Sequence, residues 1–165
     1  NSGDDIFSFG AALTVLDTVN GGNGTDQLGI SGNYTGTSAL AFSATTVTNV
    51  EVLAVLPGAG NRYGITTHDA TIAAGATFTI FAGNLGSGQD FRVDASAETN
   101  GTIITYGGLG TDTITGGALS DGFYFGPGKW QAGDSVVGGG GTNDQELHTY
   151  ESRYPSKLRG RVRHL

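Results

Sequence analysis

The sequence predicts an all-β chain, a parallel β-roll or β-solenoid, and three observations carry that prediction. Glycine supplies 30 of the 165 residues, more than twice its ordinary share of ~7%. Such a chain resists long helices, because each interior glycine costs ~1 kcal/mol relative to alanine. Apolar residues fall in runs of four to seven bounded by Gly, Asn or Pro, as short strands do. A glycine–aspartate turn also recurs along the chain, the mark of a fold that winds through like coils. For the middle of the chain a β-sandwich is the alternative, since short strands read alike in both.

The elements follow in four segments. Residues 1–30 are the end of a repeat tract: Gly3-Asp4-Asp5-Ile6-Phe7-Ser8-Phe9-Gly10 is a turn and a strand, and Gly21-Gly22-Asn23-Gly24-Thr25-Asp26-Gln27-Leu28-Gly29 is a turn leading into another. Residues 31–106 are strand-rich, with apolar runs at 39–42, 50–56, 77–81 and 102–106 and no helical period. Residues 107–145 hold two consecutive nonapeptides, Gly107-Gly108-Leu109-Gly110-Thr111-Asp112-Thr113-Ile114-Thr115 and Gly116-Gly117-Ala118-Leu119-Ser120-Asp121-Gly122-Phe123-Tyr124. Residues 146–165 are a basic tail, read as a cap or a non-native terminus, where the coil pattern is expected to stop. Segment 3–10 resembles 119–126 and segment 17–26 resembles 134–143, so one supersecondary unit is duplicated.

The spacing of the nonapeptide has a physical logic. Glycines let six residues fold into a tight turn with inward carbonyls, the aspartate adds a carboxylate, and the apolar residue two places on starts a strand facing the core. Nine residues make half a coil, so eighteen return to the same side. Adjacent coils lie ~4.8 Å apart, and two charges ~5 Å apart repel by ~3 kcal/mol at an effective dielectric of 20. A cation that takes six to eight oxygens reverses that sign. On an eighteen-residue coil, Asp94, Asp112 and Asp134 form one row, with a four-residue insertion at 126–129, and Asp121 and Asn143 form a second, where Asp144 can substitute through a bulge.

These nonapeptides resemble the RTX, or haemolysin-type, calcium-binding repeat family, over residues 3–29 and 107–144. The resemblance implies calcium as cofactor, export by a type I system and folding where calcium is abundant. The expected ligands in the tract are Asp112, Asp121, Asp134, Asn143 and Asp144, with Gly107, Leu109, Gly116 and Ala118 of the turns. Asp94, Glu98 and Asn100 form an oxygen-rich loop just before it. Asp17, Gly21, Asn23 and Asp26 supply the N-terminal set.

Charge and composition agree with that expectation. Before position 145 the basic residues are Arg62, Arg92 and Lys129, so the body is strongly acidic, whereas nucleic acid selects basic grooves. There is no cysteine, so neither disulfides nor thiolate metal sites are available, and a bound metal is the natural staple. No apolar run approaches the ~18 residues of a membrane span. The start at Asn1-Ser2-Gly3 reads as an excised piece of something longer.

No catalytic site is expected. His68 lies beside Asp69, but no Gly-x-Ser-x-Gly elbow accompanies them, and the glycine-rich turns lack the Gly-Lys-Ser/Thr of a phosphate loop. Tyr106, Phe123, Tyr124, Phe125 and Trp130 read either as a sugar-stacking platform or as core and cross-strand packing. The function expected is a calcium-binding structural module of a larger secreted or cell-surface protein, with neighbouring modules or a surface glycan as partners. An accessory module of a secreted polysaccharide lyase, epimerase or protease is the alternative.

Overall fold

A computed structural model of the chain describes residues 2–142, 144–148 and 163–164. The first nonapeptide shows how a coil is made. β11 (Thr102–Gly107) and β12 (Asp112–Thr115) alternate buried and half-buried residues, and between them the glycine-rich turn 108–111 swings the chain from one sheet to the other. The second nonapeptide swings it back into β13 (Gly122–Phe125).

The preceding strands are β1 (Ile6–Gly10), β2 (Val19–Asn20), β3 (Gln27–Ile30), β4 (Asn33–Tyr34), β5 (Leu40–Ala41) and β6 (Val47–Thr48). Then come β7 (Val52–Val55), β8 (Arg62–Thr66), β9 (Thr77–Phe81) and β10 (Phe91–Asp94). After β13 follow β14 (Ser135–Gly139), β15 (Gln145–His148) and β16 (Arg163–His164). All the pairings among them are parallel. One sheet runs β1-β3-β7-β9-β11-β13-β15 and the facing one β16-β14-β12-β10-β8-β4, with β5 also on β8 and a small β2-β6 pair beside them. This is a β-solenoid of about five turns, consistent with a β-roll. The middle segment is therefore solenoid and not sandwich. Among the described residues no helix is long and apolar enough to cross a membrane.

Coil length departs from the expected eighteen. Ile104 lies opposite Gly122, one such coil, but Phe91 lies opposite Asp112, Thr113 opposite Ser135 and Tyr63 opposite Phe91, so coils of 21, 22 and 28 residues stack in the same sheet. The surplus sits in the turns. The strands stay in register because their inward residues form continuous ladders: Leu28, Leu53, Ile80, Thr105 and Phe123 in one sheet, Ile65, Val93, Ile114 and Val136 in the other, all buried. Each such apolar side chain contributes ~1.5–3 kcal/mol by leaving water, and a one-residue slip would turn a whole strand inside out.

The pairing also continues past the point where the pattern was expected to stop. Gln145–His148 forms β15 against β13, with Leu147 opposite Tyr124.

Candidate functional site

The first glycine of each nonapeptide is explained by the aspartate five residues on. A Cβ at Gly107 would lie 2.6 Å from Asp112 Oδ2, at Gly116 2.4 Å from Asp121 Oδ2, and at Gly21 2.4 Å from Asp26 Oδ2. The carboxylate folds back into its own turn. There Asp112 Oδ2 accepts the Gly108 N–H at 2.8 Å and Asp121 Oδ2 accepts the Gly117 N–H at 2.7 Å. Gly24 and Gly110, at the fourth position, press on the previous coil, since a Cβ would lie 2.4 Å from the Gly3 carbonyl oxygen and 2.3 Å from that of Gln89.

The other carboxylate oxygen reaches the neighbouring coil. Asp26 Oδ1 accepts the Asp5 N–H (2.7 Å), Asp121 Oδ1 the Ile103 N–H (2.8 Å), Asp134 Oδ1 the Asp112 N–H (2.8 Å) and Asp144 Oδ1 the Asp121 N–H (3.0 Å). Glu51 Oε2 does the same for Asp26 (2.7 Å), and Asp90 Oδ1 accepts from Thr111 in the opposite sense (3.0 Å). Carboxylates thus form rows at the starts of the strands, one along Asp90, Asp112 and Asp134, another along Asp121 and Asp144, and a third along Asp5, Asp26 and Glu51.

The rows differ from the expected ones. Asp94 does not stand between coils with Asp112. It closes β10, opposite Thr115 and Thr66, and its carboxylate accepts the Ser96 hydroxyl (2.7 Å) and N–H (3.2 Å) beside Arg92. Asp112 instead opens β12, so the two are a strand's length out of line, and Asp90 takes the place. The signal for Asp90 was present: it precedes Asp112 by the same 22 residues that separate Asp112 from Asp134. In the second row Asp144 is the acid that meets Asp121, and Asn143 lies outside the described residues. Asp17 takes the N–H and hydroxyl of Thr14, closing a local turn. The Asn23 carbonyl accepts Gly3, and the N–H groups of Gly21, Leu109, Gly116 and Ala118 each donate to the adjoining coil.

Electrostatics single out three acids. Asp112 is fully buried, and burial followed by the Asp134 charge pushes its carboxyl up to about 7 against the pull of the Gly108 and Phe91 N–H groups. Asp121 is pushed up to about 6, again mainly by burial, and Glu98 to about 7 by burial and then by Asp69, against the pull of the Ile72 N–H. Several buried oxygens have no hydrogen-bond partner: Asp26 Oδ2, Asp112 Oδ1, both Glu98 oxygens and Asn100 Oδ1. The N–H beside Asp112 Oδ1, that of Phe91, is engaged by the Thr111 carbonyl.

Such orphaned acceptors suit a hard cation. Among the described residues no three His, Cys, Asp or Glu side chains converge to hold a metal ion, so a cation would rest on one or two carboxylates completed by amide and backbone oxygens.

The remaining residues singled out by the sequence make the following contacts. His68 Nδ1 accepts the Ala70 N–H (3.0 Å), closing its own turn, while Asp69 accepts the Thr99 N–H (2.8 Å) and so ties its turn to the next coil. Phe81, Tyr106 and Tyr124 stack ring on ring at 4.8 and 5.1 Å, which spends both faces of Tyr106 on its neighbours. Phe123 and Phe125 are buried, and Trp130 meets Phe125 edge-on. Comparison of the chain with family models, curated proteins and solved structures found no match.

Proposed function

We propose that this chain is a calcium-stabilised structural module, a β-roll of a larger secreted or surface protein, whose turns take up the ion. One observation carries the reading: Asp112, Asp121 and Asp26 are buried acids set beside further acids of the adjoining coil, namely Asp134, Asp144 and Glu51. Stacked like charges oppose the fold, and a divalent cation offsets that opposition. Ions would sit between neighbouring pairs, Asp112 with Asp134 or Asp90 and Asp121 with Asp144, completed by carbonyls of the glycine turns. The module then serves as a spacer or scaffold, alone or beside a catalytic domain.

A second reading has its own support. Each of Asp112, Asp121 and Asp134 accepts backbone N–H groups, so the rows also work as hydrogen-bond staples that need no metal. Calcium titration of the chelator-stripped chain, read by calorimetry and circular dichroism, separates the two. The calcium reading expects saturable binding with a gain in melting temperature of ~10 °C or more. No heat and an unchanged melt would leave only the staples.

A further inference from the structure

The acid row at the starts of the first sheet's strands is interrupted. Asp26 and Glu51 precede β3 and β7, and Asp121 and Asp144 precede β13 and β15, but Ala76 and Gly101 precede β9 and β11. Glu98 lies at this gap, three residues before Gly101 and outside any nonapeptide.

Its surroundings are unusual for an acid. Glu98 is 1% exposed, and neither carboxylate oxygen has a hydrogen-bond partner; Asn100 Oδ1 in the same turn has none either. The residue is wedged between coils. The Ala118 N–H donates to its carbonyl at 2.8 Å, and a Cβ at Gly117 would lie 2.9 Å from its Cβ. A Cβ at Gly101 would lie 3.5 Å from Glu98 Oε2 and 2.4 Å from Ile72 of the preceding coil. The charges acting on Glu98 are those of Asp69 and Asp121, both negative, opposed only by the Ile72 N–H of the preceding coil, which faces the carboxylate without making a full hydrogen bond; Asp69 is itself held by the Thr99 N–H (2.8 Å) and hydroxyl (2.7 Å). The basic side chains of the body are engaged elsewhere: Arg62 with Asp90, Arg92 with Asp94, and Lys129 with the Gly83 carbonyl.

Three buried acceptors share one turn, and the neighbouring charges repel. A buried oxygen left without a donor costs ~1–3 kcal/mol, and more if charged. One proton on Glu98 would answer a single pair of these oxygens and leave the third. A hard divalent cation answers all three, because its preferred ligands are carboxylate and amide oxygens.

We propose that the 95–101 turn holds a divalent cation of the calcium type through Glu98 and Asn100, a site outside the glycine–aspartate motif that fills the gap in the row. It rests on the calcium reading above. The test is the full chain, stripped by chelator and titrated with calcium by calorimetry, with terbium luminescence as a second probe. Glu98→Gln is expected to bind one ion fewer than the unaltered chain while the ions at Asp112 and Asp121 remain, and Asn100→Asp is expected to tighten one site by tenfold or more. Equal stoichiometry and affinity in Glu98→Gln would overturn the site while leaving the calcium reading intact, as would an unchanged affinity in Asn100→Asp, which also serves if Glu98→Gln fails to fold. Absence of binding by the unaltered chain would instead remove the calcium reading and this site with it.

Discussion

Asp134 accepts the backbone N–H of Asp112 at 2.8 Å through Oδ1, while its Oδ2 accepts Gln131 of its own turn at 2.6 Å. One carboxylate thereby ties two coils whose residues are 22 apart, and the acid it supports is itself buried. These bonds hold the candidate cation row in the register that the inward ladders fix.

The corrected register makes a mutational prediction. Asp112→Ala and Asp134→Ala are expected to weaken calcium binding by tenfold or more, whereas Asp94→Ala, at the far end of β10, should stay within about twofold. Asp90→Ala belongs with the first group. Titration calorimetry that ranked Asp94 above Asp90 would restore the eighteen-residue register and reject this one.

Stability without metal is expected to fall as pH rises. The carboxyls of Asp112 (about 7), Glu98 (about 7) and Asp121 (about 6) stand above ordinary carboxylate values of ~3.9–4.3, chiefly through burial. The fold therefore favours their protonated forms. Their contribution is complete below pH ~4 and is lost as pH climbs through 6 and 7. In chelator, the melting temperature is expected to drop by ~5–10 °C between pH 5 and 8, and calcium should restore more at pH 8 than at pH 5. A flat or rising profile without metal would show that these acids are not buried as described.

Glycine at the first nonapeptide position is expected to be irreplaceable. In Gly107→Ala the new methyl would lie 2.2 Å from Phe125 Cε1 and 2.6 Å from Asp112 Oδ2, both fixed by packing. A cost of ~3 kcal/mol, or ~6–12 °C, is expected. Gly29→Ala meets only the Phe7 carbonyl oxygen at 3.7 Å and should be tolerated. Thermal melts of the two variants that came out alike would refute the comparison.

Thr105 interrupts an apolar ladder. It lies between Ile80 and Phe123, fully buried, with its hydroxyl unpartnered. Thr105→Val keeps the shape and removes the unanswered oxygen, so a gain of ~1 kcal/mol is expected in urea unfolding. A loss would mean that the hydroxyl has a partner, such as a buried water.

Much of this protein was legible in the chain itself. The Gly-Gly-x-Gly-x-Asp spacing determines a tight turn closed by its own carboxylate, because only glycine leaves room for Asp26, Asp112 and Asp121 to fold back. The alternating apolar runs determine strands, and the duplication from 3–10 to 119–126 marks β1 and β13 as like positions in one sheet. Which acids meet across coils was decided only by the tertiary structure. Turn length varies freely on the outside of a solenoid, so coils of 18 and 28 residues stack equally well, and counting along the chain misplaced Asp94. Register is fixed instead by inward ladders such as Val93 on Ile114 on Val136, which bring Asp90 to Asp112. Nor does the sequence reveal how deeply Glu98 is buried, since that depends on Ile72 and Gly117 closing over it from the coils on either side.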